Sequence, residues 1–237
     1  MIGQPVEAVL FDWGGTLTPW HAVDFEAEAR ALAAAVICHD GAQDRDEHVQ
    51  LLQAANQAVW LRSRDHQLSS TVHDVFTVAG LDYDPSQLTT YYDFWEPHTS
   101  TDPHVAPLFA ALGEQGIKVG VLSNTIWPRE VHEGFFRRDG VLHLIDGDVY
   151  TSEVSWTKPA REVFHHAVEV VGATDPARCV YVGDRLFDDI WGAQNAGLRA
   201  IHVPHSTIPV EQVGHSVGVP DATVHSLAEV LDVLRAW

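Results

Sequence analysis

The sequence predicts an α/β protein: a mostly parallel sheet with helices on both faces, and an all-helical segment inserted after the first strand. Two observations carry this prediction. Beyond Pro97, short apolar runs alternate with amphipathic segments, which is typical of parallel strands joined by helices. Between about Asp24 and Pro97 the chain shows helical spacing instead, and no segment there has a convincing strand pattern.

The first strand is predicted at residues 6–11, an apolar run that the turn formers Asp12, Gly14 and Gly15 bring to an end. The inserted segment is predicted to hold four helices, each bounded by turn and capping residues. Their ranges are 24–38, 44–64, 70–79 and 85–95.

After the insertion, strands and helices alternate to the end of the chain. The predicted strands cover residues 117–122, 148–154, 179–182 and 200–203. The predicted helices cover residues 103–115, 128–138, 160–171, 188–196 and 226–237. Because both flanks of the insertion build the same sheet, we expect an α/β core at residues 1–20 and 99–237. A helical cap at residues 21–98 completes the predicted organisation.

Composition limits the classes of function. Hydrophobic residues make up 46% of the 237, which excludes global disorder, and the formal charge of −19 argues against binding nucleic acid or anionic membrane. No apolar run is long enough to span a bilayer, and no basic residue precedes the first apolar stretch. The two cysteines, Cys38 and Cys179, favour a reduced compartment. We therefore expect a cytoplasmic protein, a monomer or a homodimer.

Polar residues at the ends of the predicted strands indicate the chemistry. In open parallel sheets, ligands bind outside the carboxyl ends of the strands. A carboxylate, a hydroxyl with nearby amides, an ammonium and an acidic cluster together suit phosphoryl transfer assisted by a hard cation such as Mg²⁺. The residues at strand ends are Asp12, Ser123, Asn124, Asp184, Asp188 and Asp189, and the ammonium is that of Lys158, which lies just ahead of a predicted helix.

Four segments, in this order along the chain, resemble the motifs of the haloacid dehalogenase-like (HAD) hydrolases. They are FDWGGTL at 11–17, LSNT at 122–125, Lys158-Pro159, and GDRLFDD at 183–189. The resemblance covers nearly the whole chain, and a helical cap after the first strand is also typical of that family. It implies a Rossmann-like core and a small phosphorylated substrate.

The resemblance also implies roles for single residues. Asp12 is the expected nucleophile, forming an aspartyl-phosphate, and Lys158 bridges the nucleophile and the phosphate. Asp12, Asp184 and the main-chain carbonyl of Gly14 are expected to hold Mg²⁺. Either Asp188 or Asp189 supports that metal site, and Asp189 is the residue we assign to it. Ser123 is expected to bind the phosphoryl group.

Further substrate contacts are expected around the same loop. Main-chain amides at Asn124 and near Gly14 and Gly15 help Ser123 to hold the phosphoryl group, and Thr16 orients the loop. Trp13 flanks the loop, and His21 lies at the predicted hinge, where it is a candidate contact or a replacement acid. Arg62 and Arg64 in the cap are candidate contacts for an anionic substrate.

Gly14 departs from the usual motif. Most phosphatases of the family carry a second Asp at this position, which protonates the leaving oxygen and then activates water. General acid–base catalysis is typically worth about 10²–10⁴-fold, and glycine supplies none of it. Three explanations of the missing Asp are open: another residue supplies the acid, the substrate has an acidic leaving group, or the activity is weak. Glycine here also suggests a turn at positive φ.

Two other branches of the family lack this Asp as well. Phosphonatases need a cap lysine, but the only lysines of this sequence, Lys118 and Lys158, lie outside the insertion. Dehalogenases lack a metal-type fourth motif, whereas the fourth motif here is rich in acids. A non-catalytic binding protein with the same fold is the remaining alternative, because fold does not fix function.

Overall fold

The computed structural model describes residues 5–38, 45–204 and 215–237. A parallel sheet of six strands forms the centre, in the order β3-β2-β1-β4-β5-β6, so the predicted α/β class is confirmed. The strands are β1 (Ala8–Phe11), β2 (Lys118–Ser123), β3 (Gly147–Tyr150), β4 (Cys179–Gly183), β5 (Arg199–His202) and β6 (Ala222–Thr223).

The central strand β1 is buried on both faces. Its residues Val9 and Phe11 pack into one apolar cluster, and Ala8 and Leu10 pack into a second cluster on the opposite face. This explains the continuous apolar run, because a strand covered by helices on both sides needs apolar residues at every position. Strand order reverses beside β1, where ligands bind in open α/β sheets.

Helices follow the strands as predicted. Those outside the insertion are α5 (Val105–Glu114), α6 (Arg129–Arg138), α7 (Arg161–Val170), α8 (Gly192–Asn195) and α9 (Val230–Ala236). Over the part of the chain that the structure describes, each helix is too short or too polar to cross a membrane.

The insertion is helical, as the sequence predicts. It holds α1 (Phe25–Ala33), α2 (Arg45–His66), α3 (Val72–Ala79) and α4 (Thr89–Trp95). Two of these helices have side-chain N-caps. The Asp24 carboxylate accepts hydrogen bonds from the first main-chain amides of α1, and Thr71 forms a capping box with Asp74 at the start of α3. The domain limits at residues 20 and 98 stay a prediction.

The strand predicted at 148–154 and the helix predicted at 188–196 differ from the observed elements, and one observed strand was not predicted. The strand predicted at 148–154 ends at Tyr150, because the Thr151 side chain bonds to the backbone of Thr125 and the chain turns. The helix predicted at 188–196 begins earlier, as a π-helical turn over Leu186–Trp191. Strand β6, two residues long, is too short for the periodicity of the sequence to predict.

Candidate active site

A cavity of about 290 Å³ lies at the carboxyl ends of the central strands, and the inserted helices form its other wall. The pairing of the strands brings the motifs together here, because Phe11 of β1 pairs with Val121 of β2 on one side and with Val182 of β4 on the other. The residues that follow, Asp12, Ser123 and Asp184, therefore come out at one edge of the sheet. The sequence-predicted residues that line the cavity are Asp12, Trp13, Gly14, Gly15, His21, Arg64, Ser123, Asn124, Lys158 and Asp188.

Asp12 and Lys158 form the centre of the site, although 146 positions separate them in the sequence. The Lys158 Nζ donates to Asp12 Oδ1 at 2.6 Å, to Asp189 Oδ1 at 2.7 Å and to the Tyr181 hydroxyl at 2.9 Å. Both Asp12 and Lys158 are buried. All three hydrogen bonds of the ammonium are thus satisfied, and its position beside the Asp12 carboxylate is tightly defined.

Two neighbouring side chains hold Lys158 in place. The Asn124 amide pairs with the main chain of Lys158, accepting from its N at 2.8 Å and donating to its O at 3.1 Å. The Tyr181 hydroxyl accepts from Nζ and donates to the Leu122 carbonyl at 2.9 Å. The side chain of Asn124, predicted as a substrate contact, therefore positions the lysine.

The acidic cluster fits a divalent cation. Oxygen atoms of Asp12, Asp184 and Asp189 lie within 4.8 Å of one another. Both carboxylate oxygens of Asp184 are buried and accept no hydrogen bond from any residue that the structure describes. Carboxylate oxygens are the ligands that Mg²⁺ prefers, so Asp12 and Asp184 are the residues best placed to hold it.

Asp189 is the acidic neighbour that lies in this cluster, whereas Asp188 lies in the cavity wall, 4.0 Å from the Arg185 guanidinium. Both oxygens of Asp189 accept hydrogen bonds, Oδ1 from Lys158 and Oδ2 from the Arg185 amide at 2.9 Å. Its main contact is therefore with the lysine, and a role at the metal remains a proposal.

Burial and charge shift the pKa values of these groups. Burial raises the pKa of Asp12 to about 6, although the Lys158 ammonium opposes the rise. Burial, reinforced by the carboxylates of Asp12 and Asp189, raises the pKa of Asp184 well above its ordinary value. Burial alone would lower the pKa of Lys158, but Asp12 and Asp189 outweigh it and hold that pKa above its usual range. A bound cation would relieve the repulsion among the carboxylates.

The two glycines of the first motif have different roles. Gly15 has φ of +95°, and a Cβ there would lie 2.2 Å from Asp184 Oδ2, so this position requires glycine. Gly14 is outside the positive-φ region, and a Cβ there would meet no atom within 4 Å. The expectation of a positive φ at Gly14 was wrong: the tight turn uses the next residue.

The remaining predicted residues surround this centre. Ser123 is buried in the cavity wall, at the end of β2. Thr16 is fully buried beneath the loop. The Trp13 ring packs edge-on against His132, with ring centroids 4.5 Å apart, so much of it belongs to the core. His21 is exposed at the cavity.

Arg62 and Arg64 are the two cap arginines predicted to contact the substrate, and of these only Arg64 lines the cavity. Its guanidinium is bound to Asp65 at 2.7 Å and lies over the Trp60 ring, 5.3 Å from the centroid. Arg62 is exposed and lies outside the cavity lining.

Three polar residues of the site escaped the sequence reasoning: Tyr181, Arg185 and Glu28. Tyr181 lies inside the apolar run of β4, where an aromatic residue is expected to be core. Arg185 follows Asp184 directly, and only this position beside the acidic motif could have indicated that it belongs to the site. Glu28 lies in an Ala- and Glu-rich helix and resembles a solvated residue.

Glu28 is the buried carboxyl group of the cap. Only 6% of the residue is exposed, and its Oε1 accepts a hydrogen bond from the Tyr91 hydroxyl at 3.2 Å. Burial raises the pKa of Glu28 to about 7, and the neighbouring groups of Tyr91 and Trp95 only partly oppose this. Glu28 is therefore protonated in much of the ligand-free protein near neutral pH.

This pKa predicts a dependence of stability on pH. A carboxyl whose pKa is higher in the folded than in the unfolded chain stabilises the fold less as pH rises from about 4.5 to 7. Glu28→Gln removes that titration, so the variant should gain stability relative to wild type over this range, by at most about 3 kcal/mol. Urea unfolding at pH 4.5 and pH 8 measures the difference. The exposed Glu26→Gln on the same helix is the control, and an equal gain there would contradict the assignment.

Comparison with known proteins places this chain in a family of enzymes. Residues 6–197 match the model of the haloacid dehalogenase-like hydrolases, and because that match covers most of the chain, the protein belongs to this family of hydrolases. The family that the sequence resembles is thus confirmed.

Three similar proteins illustrate the range of the family. A glyceraldehyde 3-phosphate phosphatase of Methanopyrus kandleri is 26% identical over 97% of both chains. The crystal structure of a HAD phosphatase from Thermococcus onnurineus superposes with a TM-score of 0.66, at 22% identity over 96% of this chain and 97% of that one. The L-2-haloacid dehalogenase of Xanthobacter autotrophicus superposes with a TM-score of 0.63, at 19% identity over 97% and 98%. Both structures share the fold of this chain.

Proposed function

We propose that the protein is a Mg²⁺-dependent phosphatase that acts on a small phosphorylated compound through an aspartyl-phosphate on Asp12. The observation that carries this proposal is the Asp12 carboxylate, buried at a cavity with the Lys158 ammonium on one oxygen. The Asp184 carboxylate lies nearby and accepts no hydrogen bond from the described residues. The phosphatase name of the Methanopyrus kandleri relative supports the same substrate class.

In the first step, an oxygen of Asp12 attacks phosphorus, and the bond from phosphorus to the leaving oxygen breaks. Lys158 stays beside Asp12 and neutralises negative charge on the phosphoryl oxygens. Water then attacks the phosphorus of the aspartyl-phosphate, which releases inorganic phosphate and regenerates the carboxylate. Asp12 and Asp184 would hold Mg²⁺, which would supply a second positive charge to the phosphoryl group.

Each residue around the nucleophile has a matching task. Asp189 and Tyr181 keep Nζ directed at Asp12, and Asn124 holds the lysine backbone. We infer that Ser123 contributes its hydroxyl to the phosphoryl oxygens, since it is buried in the cavity wall at the end of the neighbouring strand. A main-chain carbonyl at Gly14 as a metal ligand remains part of the proposal.

The metal-free dehalogenase alternative is less consistent with this site. Without a cation, only the Lys158 ammonium and the Arg185 guanidinium would offset three clustered carboxylates, and the Asp184 carboxyl would be buried without a hydrogen bond in the described part of the chain. A panel of acyl, aryl and alkyl phosphates, assayed with Mg²⁺ for phosphate release, tests the proposal. Turnover of a haloacid in chelator, with no phosphate released from any ester, would contradict it.

Gly14 leads to a prediction about the leaving group. Because no carboxyl stands at this position, acyl and nitrophenyl phosphates should react well and alkyl phosphates poorly. The Gly14→Asp variant should raise alkyl-phosphate kcat/KM by about 10²-fold, the lower end of the usual worth of an acid–base group. The added Cβ enters open space, so the loop should fold normally.

Leaving-group dependence of kcat/KM, measured on wild type and Gly14→Asp, checks this expectation. Gly15→Asp is the matched control, because its Cβ would collide with Asp184 and the variant should be inactive. A flat dependence in wild type would show that another group supplies the proton. Loss of that flat dependence in His21→Ala would then identify the hinge histidine as the source.

A further inference from the structure

The cap side of the cavity is built from aromatic rings around a single acid. Glu28 is the only carboxylate that the inserted helices contribute to the cavity lining, among the residues described. Rings from the insertion and from the neighbouring core loops surround the same space. The aromatic residues include Trp20, Phe25, Tyr91, Trp95 and Trp127, whereas the Trp60 ring already carries the Arg64 guanidinium.

A chain of hydrogen bonds fixes how Glu28 faces its surroundings. Trp127 Nε1 donates to the Tyr91 hydroxyl at 3.0 Å, and that hydroxyl lies 3.2 Å from Glu28 Oε1. An indole N–H can only donate, so the hydroxyl hydrogen of Tyr91 must point to Glu28. Oε1 is therefore held as an acceptor, which suits a ligand that brings donors.

The charges around Glu28 are unbalanced. At the sheet side of the cavity, Asp12 and Asp189 share the Lys158 ammonium. Glu28 is more than nine-tenths buried, yet no cationic side chain of the described residues contributes to its electrostatics. An ionised carboxylate buried without a cation is costly, so Glu28 of the free protein is largely protonated, and a ligand that supplied a positive charge here would stabilise the ionised form.

Ring faces add to this preference. The electron-rich faces of Trp and Tyr attract organic cations, and rings combined with a carboxylate form a common arrangement for binding ammonium groups. A cavity of about 290 Å³ limits the ligand to a small molecule. Lys158 occupies the phosphate end, which leaves the cap end for the other part of the substrate.

We propose that Glu28 and the aromatic rings around it form a subsite for an ammonium group on the leaving part of the substrate. The substrate class is then a small phosphate ester or acyl phosphate that also carries a protonated or methylated amine. The inference rests on the proposed phosphatase function and specifies its substrate. Glu28 would act by binding the leaving part of the substrate, from an inserted helix, so it is a specificity residue.

The test compares three aryl phosphates of similar size and similar leaving group. Tyramine phosphate carries an ammonium, tyrosol phosphate a hydroxyl and para-propylphenyl phosphate a methyl group at the same place. In wild type, kcat/KM should be about tenfold or more higher for tyramine phosphate than for the propyl compound, with tyrosol phosphate between them. Equal values, or a preference for the hydroxyl, would overturn the proposal.

For each variant, the readout is the ratio of kcat/KM for tyramine phosphate to kcat/KM for para-propylphenyl phosphate. This ratio is insensitive to a general loss of activity. Glu28→Gln keeps the shape of the side chain and should bring the ratio close to one. Tyr91→Phe removes the hydroxyl that orients Oε1 and should lower the ratio partly, which provides a second test if Glu28→Gln folds poorly. Glu26→Gln, exposed on the same helix, should keep the wild-type ratio. An unchanged ratio in both site variants would overturn the proposal.

Binding without turnover separates this inference from the proposed function. Calorimetric titration with tyramine and with para-propylphenol needs no catalysis, and tyramine should bind at least about tenfold more tightly, with the difference lost in Glu28→Gln. Selective tyramine binding by a protein that hydrolyses no phosphate would support the subsite and contradict the phosphatase. Phosphate hydrolysis without selective tyramine binding would support the phosphatase and contradict the subsite.

Discussion

Replacing Asp12 by Asn is expected to lower kcat for aryl-phosphate hydrolysis by more than about a thousandfold while the fold is retained. The amide has nearly the same shape as the carboxylate but is a poor nucleophile. The fold should survive because Lys158 keeps its bonds to Asp189 and Tyr181, and because the burial cost of the Asp12 charge is removed. Initial rates and a circular dichroism melt measure the two parts of this prediction.

A conservative change far from the cavity provides the control. Asp232→Asn, on the exposed face of α9, should retain full activity and the wild-type melting temperature. Wild-type rates in Asp12→Asn would exclude Asp12 as the nucleophile. Loss of the circular dichroism signal in that variant would instead assign Asp12 a structural role.

Removal of divalent cations should abolish activity, and Mg²⁺ should restore it better than Ca²⁺. Ca²⁺ accepts more ligands and a looser geometry, which would misplace the in-line attack on phosphorus. Asp184 is the residue on which this depends, since it has two buried oxygens without a hydrogen bond from the described residues. Full activity in excess chelator would favour the metal-free alternative.

A measurement of stability gives a second readout that is independent of turnover. Mg²⁺ binds the folded state, so it should raise the melting temperature of wild type in a concentration-dependent way. Asp184→Asn should lose most of this shift. Without metal, the same variant should melt higher than wild type, because it removes the burial cost of the Asp184 charge and its repulsion by Asp12 and Asp189, which together raise the pKa of Asp184. Equal Mg²⁺ shifts in both proteins would place the metal elsewhere.

The site centre could be predicted from the sequence because its residues directly follow strands. Asp12, Ser123 and Asp184 come after apolar runs, and parallel strands bring their carboxyl ends to one edge whatever the distance along the chain. Lys158 follows no strand, and only the family resemblance related it to Asp12. Its direct contact with Asp189 was not predicted.

The cap half of the cavity could not be predicted in the same way. Glu26 and Glu28 lie two positions apart in one Ala-rich helix, and nothing local distinguishes them. Glu26 lies in solvent and pairs with Arg30, whereas Glu28 is buried against Tyr91 from another helix. Which acidic residue of a short helix becomes covered depends on packing against other helices, and the sequence of that helix alone does not specify it.

The different roles of Gly14 and Gly15 also could not be predicted from the sequence. The motif shows two adjacent glycines, and either could hold the left-handed turn. The close approach of the Asp184 carboxylate, from a strand more than half the chain away, requires glycine at 15 and leaves 14 free to vary. Because that approach is a tertiary contact, the sequence could not distinguish the two positions.

Acid quenching during turnover of a phosphorus-labelled acyl phosphate tests the central claim most directly. With glycine at position 14, water lacks its usual activating carboxylate, so the aspartyl-phosphate should break down slowly and accumulate. Peptide mapping of the quenched protein should then find the label on the peptide that contains Asp12, and none in Asp12→Asn. A burst of product with no labelled peptide, or label on any other residue, would contradict the account.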